Sequence, residues 1–493
     1  YKKSLFIAQQ NIGTYGIITM RTTKTNIIKT HYIMTKKVRF TLCSFLLIFC
    51  LFGSVYGQNN PWAEVKSEHG FFSSSQKATM GDQHSKTFTL DIAALKQQLK
   101  TAPARGVQNQ KSNILVSFPN AQGIFEKFRV YEAPVLSEEL AARYPNIKTY
   151  VGFAEDGSGT RARFSVTPLG FNAMITSLEK DMVLIRPTAN GRSSLYSVYE
   201  REDHRDRKLD QFVCSTIDEI AENTNKSETL RGADDQTLRT FRVAISGTAE
   251  YTNTWDDGDD TNGTVQDDAL AQVVSTLNRS NEIFEVDMAI TMILVSGTSI
   301  LYTDAATDPY GGNLNSELQT TLTAEIGETN YDIGHLFHRD NGNGNAGCIG
   351  CVCVDGQKGS AFSAAPFPGN QPSDFFDIDL VPHEMGHQYG ANHTFSFNSE
   401  GTGMNVEPGS GTTIMSYAGI TGANNVQNNA DSYFHYVSID QILTNLISRT
   451  CWVGTTLTNN PPVADAGSDY TIPKSTAFLL KGTATDADAG DTL

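Results

Sequence analysis

Apolar residues recur at helical spacing through Val265, Ala269, Leu270, Val273, Val274 and Leu277, so residues 264–284 are expected to form an amphipathic helix. Upstream, short runs rich in β-branched and aromatic residues predict strands at 87–92, 114–118, 128–131, 149–153, 162–166 and 182–185. The region 58–237 therefore reads as β-rich. Flanking the long helix, 240–245 and 289–295 read as strands, 315–326 as a second helix, and 331–337 as the strand at the edge of the sheet. Residues 379–390 and 438–448 carry two more helical patterns. Strand and helix alternating, then a loop-rich half, predict an α+β domain over 238–454.

The pattern changes at both ends of the chain. Residues 1–33 precede Met34 and read as a non-native upstream extension. Lys36, Lys37 and Arg39 then precede an apolar run over 40–55 that ends in small residues, the layout of a signal peptide at 34–57. An uncleaved anchor helix is the alternative, though the run is short for a full span. Beyond Cys451 a polar linker begins at 455. Pro462-Val463-Ala464-Asp465-Ala466-Gly467 then opens a stretch resembling the start of a polycystic-kidney-disease-type, immunoglobulin-like sandwich. Residues 455–493 are too few for such a domain of about 100 residues, so it is expected to be truncated.

Hydrophobic residues make up 39% of the chain, enough for several globular cores. The net charge is −16, and only eight Lys or Arg residues follow position 236, which argues against nucleic acid as a partner. Asp256-Asp257-Gly258-Asp259-Asp260 reads either as a solvated turn or as a Ca2+ loop. Cys43 and Cys50 fall in the signal peptide, whereas Cys348, Cys351, Cys353 and Cys451 are expected to form disulfides in an exported protein, in a pairing that sequence leaves open. A zinc knuckle is the rival reading of the CIGCVC stretch. Cys214 stands apart.

The chemistry concentrates in His383-Glu384-x-x-His387-x-x-Gly390-x-x-His393. Positions i and i+4 share a helix face, so His383 and His387 can present two imidazoles to one zinc ion. Gly390 can end the helix and let the chain swing His393 back as a third ligand. Three protein ligands leave a tetrahedral position open, the mark of catalytic rather than structural zinc. Glu384 is placed to take a proton from water there. His335 and His338 lack metal spacing relative to this motif and read as structural.

This motif, with Met415 in Thr413-Ile414-Met415-Ser416-Tyr417-Ala418-Gly419, resembles the metzincin metallopeptidases. Residues 407–411 and Tyr433-Phe434-His435 are most similar to bacterial relatives of the adamalysin (reprolysin) group. Thr394 stands where adamalysins carry Asp, and Thr394-Phe395 also occurs in pappalysin-like metzincins. The resemblance implies a mixed sheet with a zinc cleft, and Met415 packed beneath the metal as a Met-turn. Tyr417 would be either a displaceable fifth ligand that stabilises the oxyanion or a packing residue. It also implies that 58–237 is a prodomain whose Cys214 is either an inhibitory thiolate on zinc or a buried thiol. The surroundings of Cys214 depart from the family's Pro-x-x-Cys-Gly pattern. Release would then need cleavage between Cys214 and Leu238, in the polar segment containing Arg231.

The expected activity is that of a secreted zinc endopeptidase made as a zymogen, acting on a protein or peptide, with no stable membrane insertion once the signal is removed. The competing expectations are a secreted adhesin or binding protein with a degenerate metalloprotease fold, and a zinc hydrolase of non-peptide substrates. A decayed enzyme has no need to keep Glu384.

Overall fold

The computed structural model describes residues 60–65, 85–106, 111–177, 180–188, 194–203, 212–218, 235–367, 370–398, 404–479 and 481–488. The stretches expected to be an upstream extension (1–33) and a signal peptide (34–57, with Cys43 and Cys50), and the segment around Arg231, lie outside the described residues. Nine N-terminal strands form one antiparallel sheet. They are β1 (Trp62–Glu64), β2 (Lys86–Leu90), β3 (Leu115–Pro119), β4 (Phe125–Glu132), β5 (Lys148–Ala154), β6 (Arg161–Thr167), β7 (Gly170–Thr176), β8 (Val183–Pro187) and β9 (Leu195–Glu200), ordered β1-β2-β9-β8-β7-β6-β5-β4-β3. Two short helices accompany them, α1 (Ile92–Leu99) and α2 (Glu138–Arg143). One face of the sheet buries Trp62, Phe88, Phe118, Phe128, Phe164 and Phe171. The β-rich expectation for this region agrees, although β1, β7, β9 and both helices were not foreseen.

The second sheet runs β10 (Val213–Cys214), β14 (Asn343–Ala346), β15 (Ala361–Ala365), β13 (Ile333–Arg339), β11 (Thr237–Gly247), β12 (Ile290–Leu294), and β16 (Val453–Thr456) also pairs with β11. The helices around it are α3 (Ala249–Thr252), α4 (Val265–Met288), α5 (Leu314–Glu325), α6 (Val381–Tyr389) and α7 (Tyr436–Leu446). This is a mixed sheet in an α+β domain, with β11–β12, β11–β13 and β13–β15 parallel, and β14–β15 and β11–β16 antiparallel.

Three expectations need correction. Residues 331–337 are not the edge strand, since β13 sits between β11 and β15. On that side β10 is outermost and lies on β14, whose sequence NGNA has almost no strand propensity and is held by pairing instead. Second, α4 has no solvent-facing polar stripe. Thr264 and Asp267 cap its start reciprocally, and residues on both faces of it are buried. Its polar side is covered by the N-terminal sheet, where Arg161 and Arg163 on β6 meet Glu282 and Glu285. Third, the linker expected from 455 starts later, because β16 carries Thr455 and Thr456 back onto β11.

The cysteines pair as Cys348–Cys351 and Cys353–Cys451. The C-terminal stretch shows a two-stranded ribbon, β17 (Val463–Asp465) with β18 (Thr483–Thr485). Among the described residues no helix is long and apolar enough to cross a membrane.

Candidate metal centre

A π-helical turn at Phe375–Leu380 feeds directly into α6, which carries His383, Glu384 and His387, all buried. The helix stops at Gly390, whose φ of 127° lies where only glycine sits without strain. Its N–H caps the carbonyls of Gly386 and His387, and the chain turns back. That turn delivers His393 to the other two rings. Ring centroids are 4.8 Å apart for His383–His387, 4.6 Å for His387–His393 and 5.2 Å for His383–His393. The Nε2 atoms of His387 and His393 are 3.2 Å apart.

Each ring is fixed from behind. His383 Nδ1 donates to the Ile414 carbonyl and His387 Nδ1 to the Ala391 carbonyl, both at 2.7 Å. Donation from Nδ1 leaves the Nε2 lone pair for a metal. His393 Nδ1 faces Asp218 Oδ1 at 3.0 Å. Burial pushes His383 down to about 3 and His387 well below its ordinary value, so both rings are neutral, the form that binds metal.

Cys214 completes the set. One ligand atom from each of Cys214, His383, His387 and His393 lies within 4.8 Å of the others. His383 Nε2 and Glu384 Oε1 are buried without a hydrogen-bond partner. Each such atom costs about 1–3 kcal/mol unless something occupies the centre. Three imidazoles and a sulfur suit tetrahedral zinc, so the residues fit the ion. Burial, then the Glu384 carboxylate, pushes the Cys214 thiol up to about 11, a balance that a bound cation reverses. Burial likewise pushes Glu384 up to about 7.

Residues 212–218 lie along the cleft, and β10 within them adds a short strand to the sheet. β10 pairs in parallel with β14, Val213 opposite Asn343 and Cys214 opposite Gly344, and Ser215 N donates to the Gly344 carbonyl at 2.8 Å. Thr216 Oγ1 accepts from Ala346 N at 2.8 Å and donates to Glu384 Oε2 at 3.2 Å. Phe212 packs edge-on against Phe375, beside Leu380, His383 and Ile414. Tyr417 stands next to the His393 ring, and its hydroxyl donates to the Cys214 carbonyl at 3.3 Å.

Met415 is fully buried beneath α6, so close to Gly386 that a methyl group there would overlap its sulfur. The Met-turn is tied to the third histidine by Glu407, which in the sequence stood only within the 407–411 stretch of the resemblance, with no role attached. Its carboxylate accepts from the hydroxyls of Thr394 and Thr413 and from the amides of Thr412 and Thr413. Burial alone would raise its pKa, but those four bonds leave it below the usual value. The signal available in sequence was the Thr at 394, a donor needing a carboxylate from elsewhere. Asp218, Thr216 and Gly344 carried no such signal.

The remaining candidates lie apart. His335 is buried between Gln388 and Ser363, each at 2.9 Å, and His338 meets Thr248, so both are structural as expected. Asp256 and Asp257 converge with Asp268 of α4 within 4.8 Å, an arrangement that exposed acidic groups also adopt without an ion.

Residues 237–446 match the metallo-peptidase family M12B, reprolysin-like. No curated protein matches the chain.

Proposed function

Residues 237–446 are a reprolysin-like zinc metalloendopeptidase domain, and on that premise we propose that the chain is the latent form of a secreted endopeptidase. The observation that supports the reading is the convergence of three imidazoles and one sulfur, with Glu384 beside them. His383, His387 and His393 would hold the ion through Nε2, with Cys214 as a further ligand until the N-terminal region leaves. When bound, zinc supplies the Lewis acidity that activates water and polarises the scissile carbonyl.

The residues of the chain do the rest. Once Thr216 releases its carboxylate, Glu384 accepts the proton of the attacking water and passes it to the leaving amine as the C–N bond breaks. A peptide substrate adds to β14 along the edge that β10 occupies, taking the backbone groups of Gly344 and Ala346. Tyr417, freed from the Cys214 carbonyl, donates to the developing oxyanion. Met415 supports the histidines from below without touching the ion.

The N-terminal region, residues 58–237, acts as the prodomain, and removal follows cleavage between Cys214 and Leu238. The signal peptide at 34–57 carries the chain to an oxidising compartment, which agrees with the two disulfides. The test is casein hydrolysis by the processed chain, with and without a zinc chelator and after zinc is restored, together with N-terminal sequencing of the active species. Hydrolysis that survives full zinc removal contradicts the reading.

A further inference from the structure

We propose that Asp218 is a positioning residue for the metal, so that the uncleaved chain captures and holds zinc more tightly than the enzyme it gives rise to. The proposal rests on the zinc reading above and adds a role for the N-terminal region besides blocking the cleft.

The asymmetry among the three histidines carries it. His383 and His387 are held from behind by carbonyls of the metallopeptidase domain itself, those of Ile414 and Ala391. His393 is held by a side chain from outside that domain. Asp218 Oδ1 lies 3.0 Å from His393 Nδ1, with both side chains almost completely buried, and the same oxygen accepts the His393 backbone N–H at 3.1 Å. One carboxylate therefore fixes both the ring and the backbone of the ligand that follows the Gly390 turn. His393 most needs it, since the other two ligands are locked in one helix.

A carboxylate behind a ligating imidazole sets the tautomer, aims Nε2 and raises its basicity, and losing such a partner typically costs about 10- to 100-fold in metal affinity. The negative charge of Asp218, with that of a Cys214 thiolate, also offsets the charge of a divalent cation in a buried site. Thr216, two residues earlier, keeps the segment in register through Ala346 N and Glu384. Cleavage and release thus remove a ligand and an orienting carboxylate together. The opened site gains its vacant position and loses part of its grip on the ion.

The experiment is zinc affinity of the full chain, measured by competition with a chromogenic chelator, in a Cys214→Ala background that removes the sulfur's own contribution. Adding Asp218→Ala should weaken zinc by about 10- to 100-fold, and Asp218→Glu should recover part of the loss. Unfolding midpoints of the metal-free forms should match, and Asp218→Asn serves as the comparison if the alanine variant is unstable. After cleavage at a protease site inserted between 219 and 234 and removal of the N-terminal fragment, chains with Asp and Ala at 218 should bind zinc equally. Equal affinity of Cys214→Ala with and without Asp218→Ala would overturn the proposal, as would a mature form binding as tightly as uncleaved Cys214→Ala. Failure of the parent chain to bind zinc at all would instead overturn the reading beneath it.

Discussion

Cys214 Sγ lies 3.7 Å from His387 Nε2, although 173 positions separate them in the chain. The thiol is only one of several contacts that close the cleft, since β10 also covers β14 and Thr216 engages Glu384. Cys214→Ala should therefore give an uncleaved chain with more peptidase activity than the parent but less than the processed enzyme. Peptide hydrolysis by chains with a cleavage-resistant linker tests this. Full activity in the uncleaved variant would mean that the strand contacts contribute nothing to latency.

Glu384→Gln should keep zinc and lose hydrolysis by at least about 100-fold, because the amide cannot accept the proton of the attacking water. His383→Ala should lose zinc and activity together, since one of three protein ligands is gone. Metal content and turnover, measured on the same preparations, separate the two outcomes.

Most of this centre was legible because its chemistry is local in sequence. His383, Glu384, His387 and Gly390 lie within one helix and its cap, and Met415 sits in a short recognisable turn. What was not legible depended on distant segments meeting. Asn343–Ala346 shows no strand pattern, yet it forms the cleft edge by pairing with β15. Nothing in the spacing of apolar residues shows that Glu282 and Glu285 are buried, and only the arginines of another sheet reveal it. Asp218 gave no signal, because nothing near it in the chain points to His393.

Gly344 offers a test of the cleft wall. A methyl group built there would overlap the Glu384 carboxylate. Gly344→Ala should therefore displace Glu384 and lower kcat with zinc affinity largely kept, since the metal-binding cluster is formed by Cys214 and the three histidines without Glu384. Unchanged kcat in the processed variant would show that the strand yields instead of the carboxylate.

The last prediction concerns how the N-terminal sheet is held on α4. Arg163 Nη1 reaches Glu285 Oε2 at 2.7 Å with both side chains buried, and Arg105 pairs with the same carboxylate. Burial works against the charge on Glu285, but the two guanidiniums outweigh it and hold its pKa well below the carboxylate range. A folded pKa below the unfolded one means the stabilisation is present above the unfolded value, near about 4.3, and is lost as pH falls toward the folded value. Glu285→Gln leaves the buried Arg163 with only the more distant Glu282 carboxylate, 3.9 Å away, and should cost up to about 3–5 kcal/mol at neutral pH. The deficit relative to the parent should shrink as pH drops below about 4, where the unfolded parent takes up a proton at Glu285 that the folded state still excludes. Denaturant unfolding of the uncleaved chain at pH 7 and at pH 3.5 would read this directly, and a deficit that stayed constant with pH would show that the pair contributes through packing rather than charge.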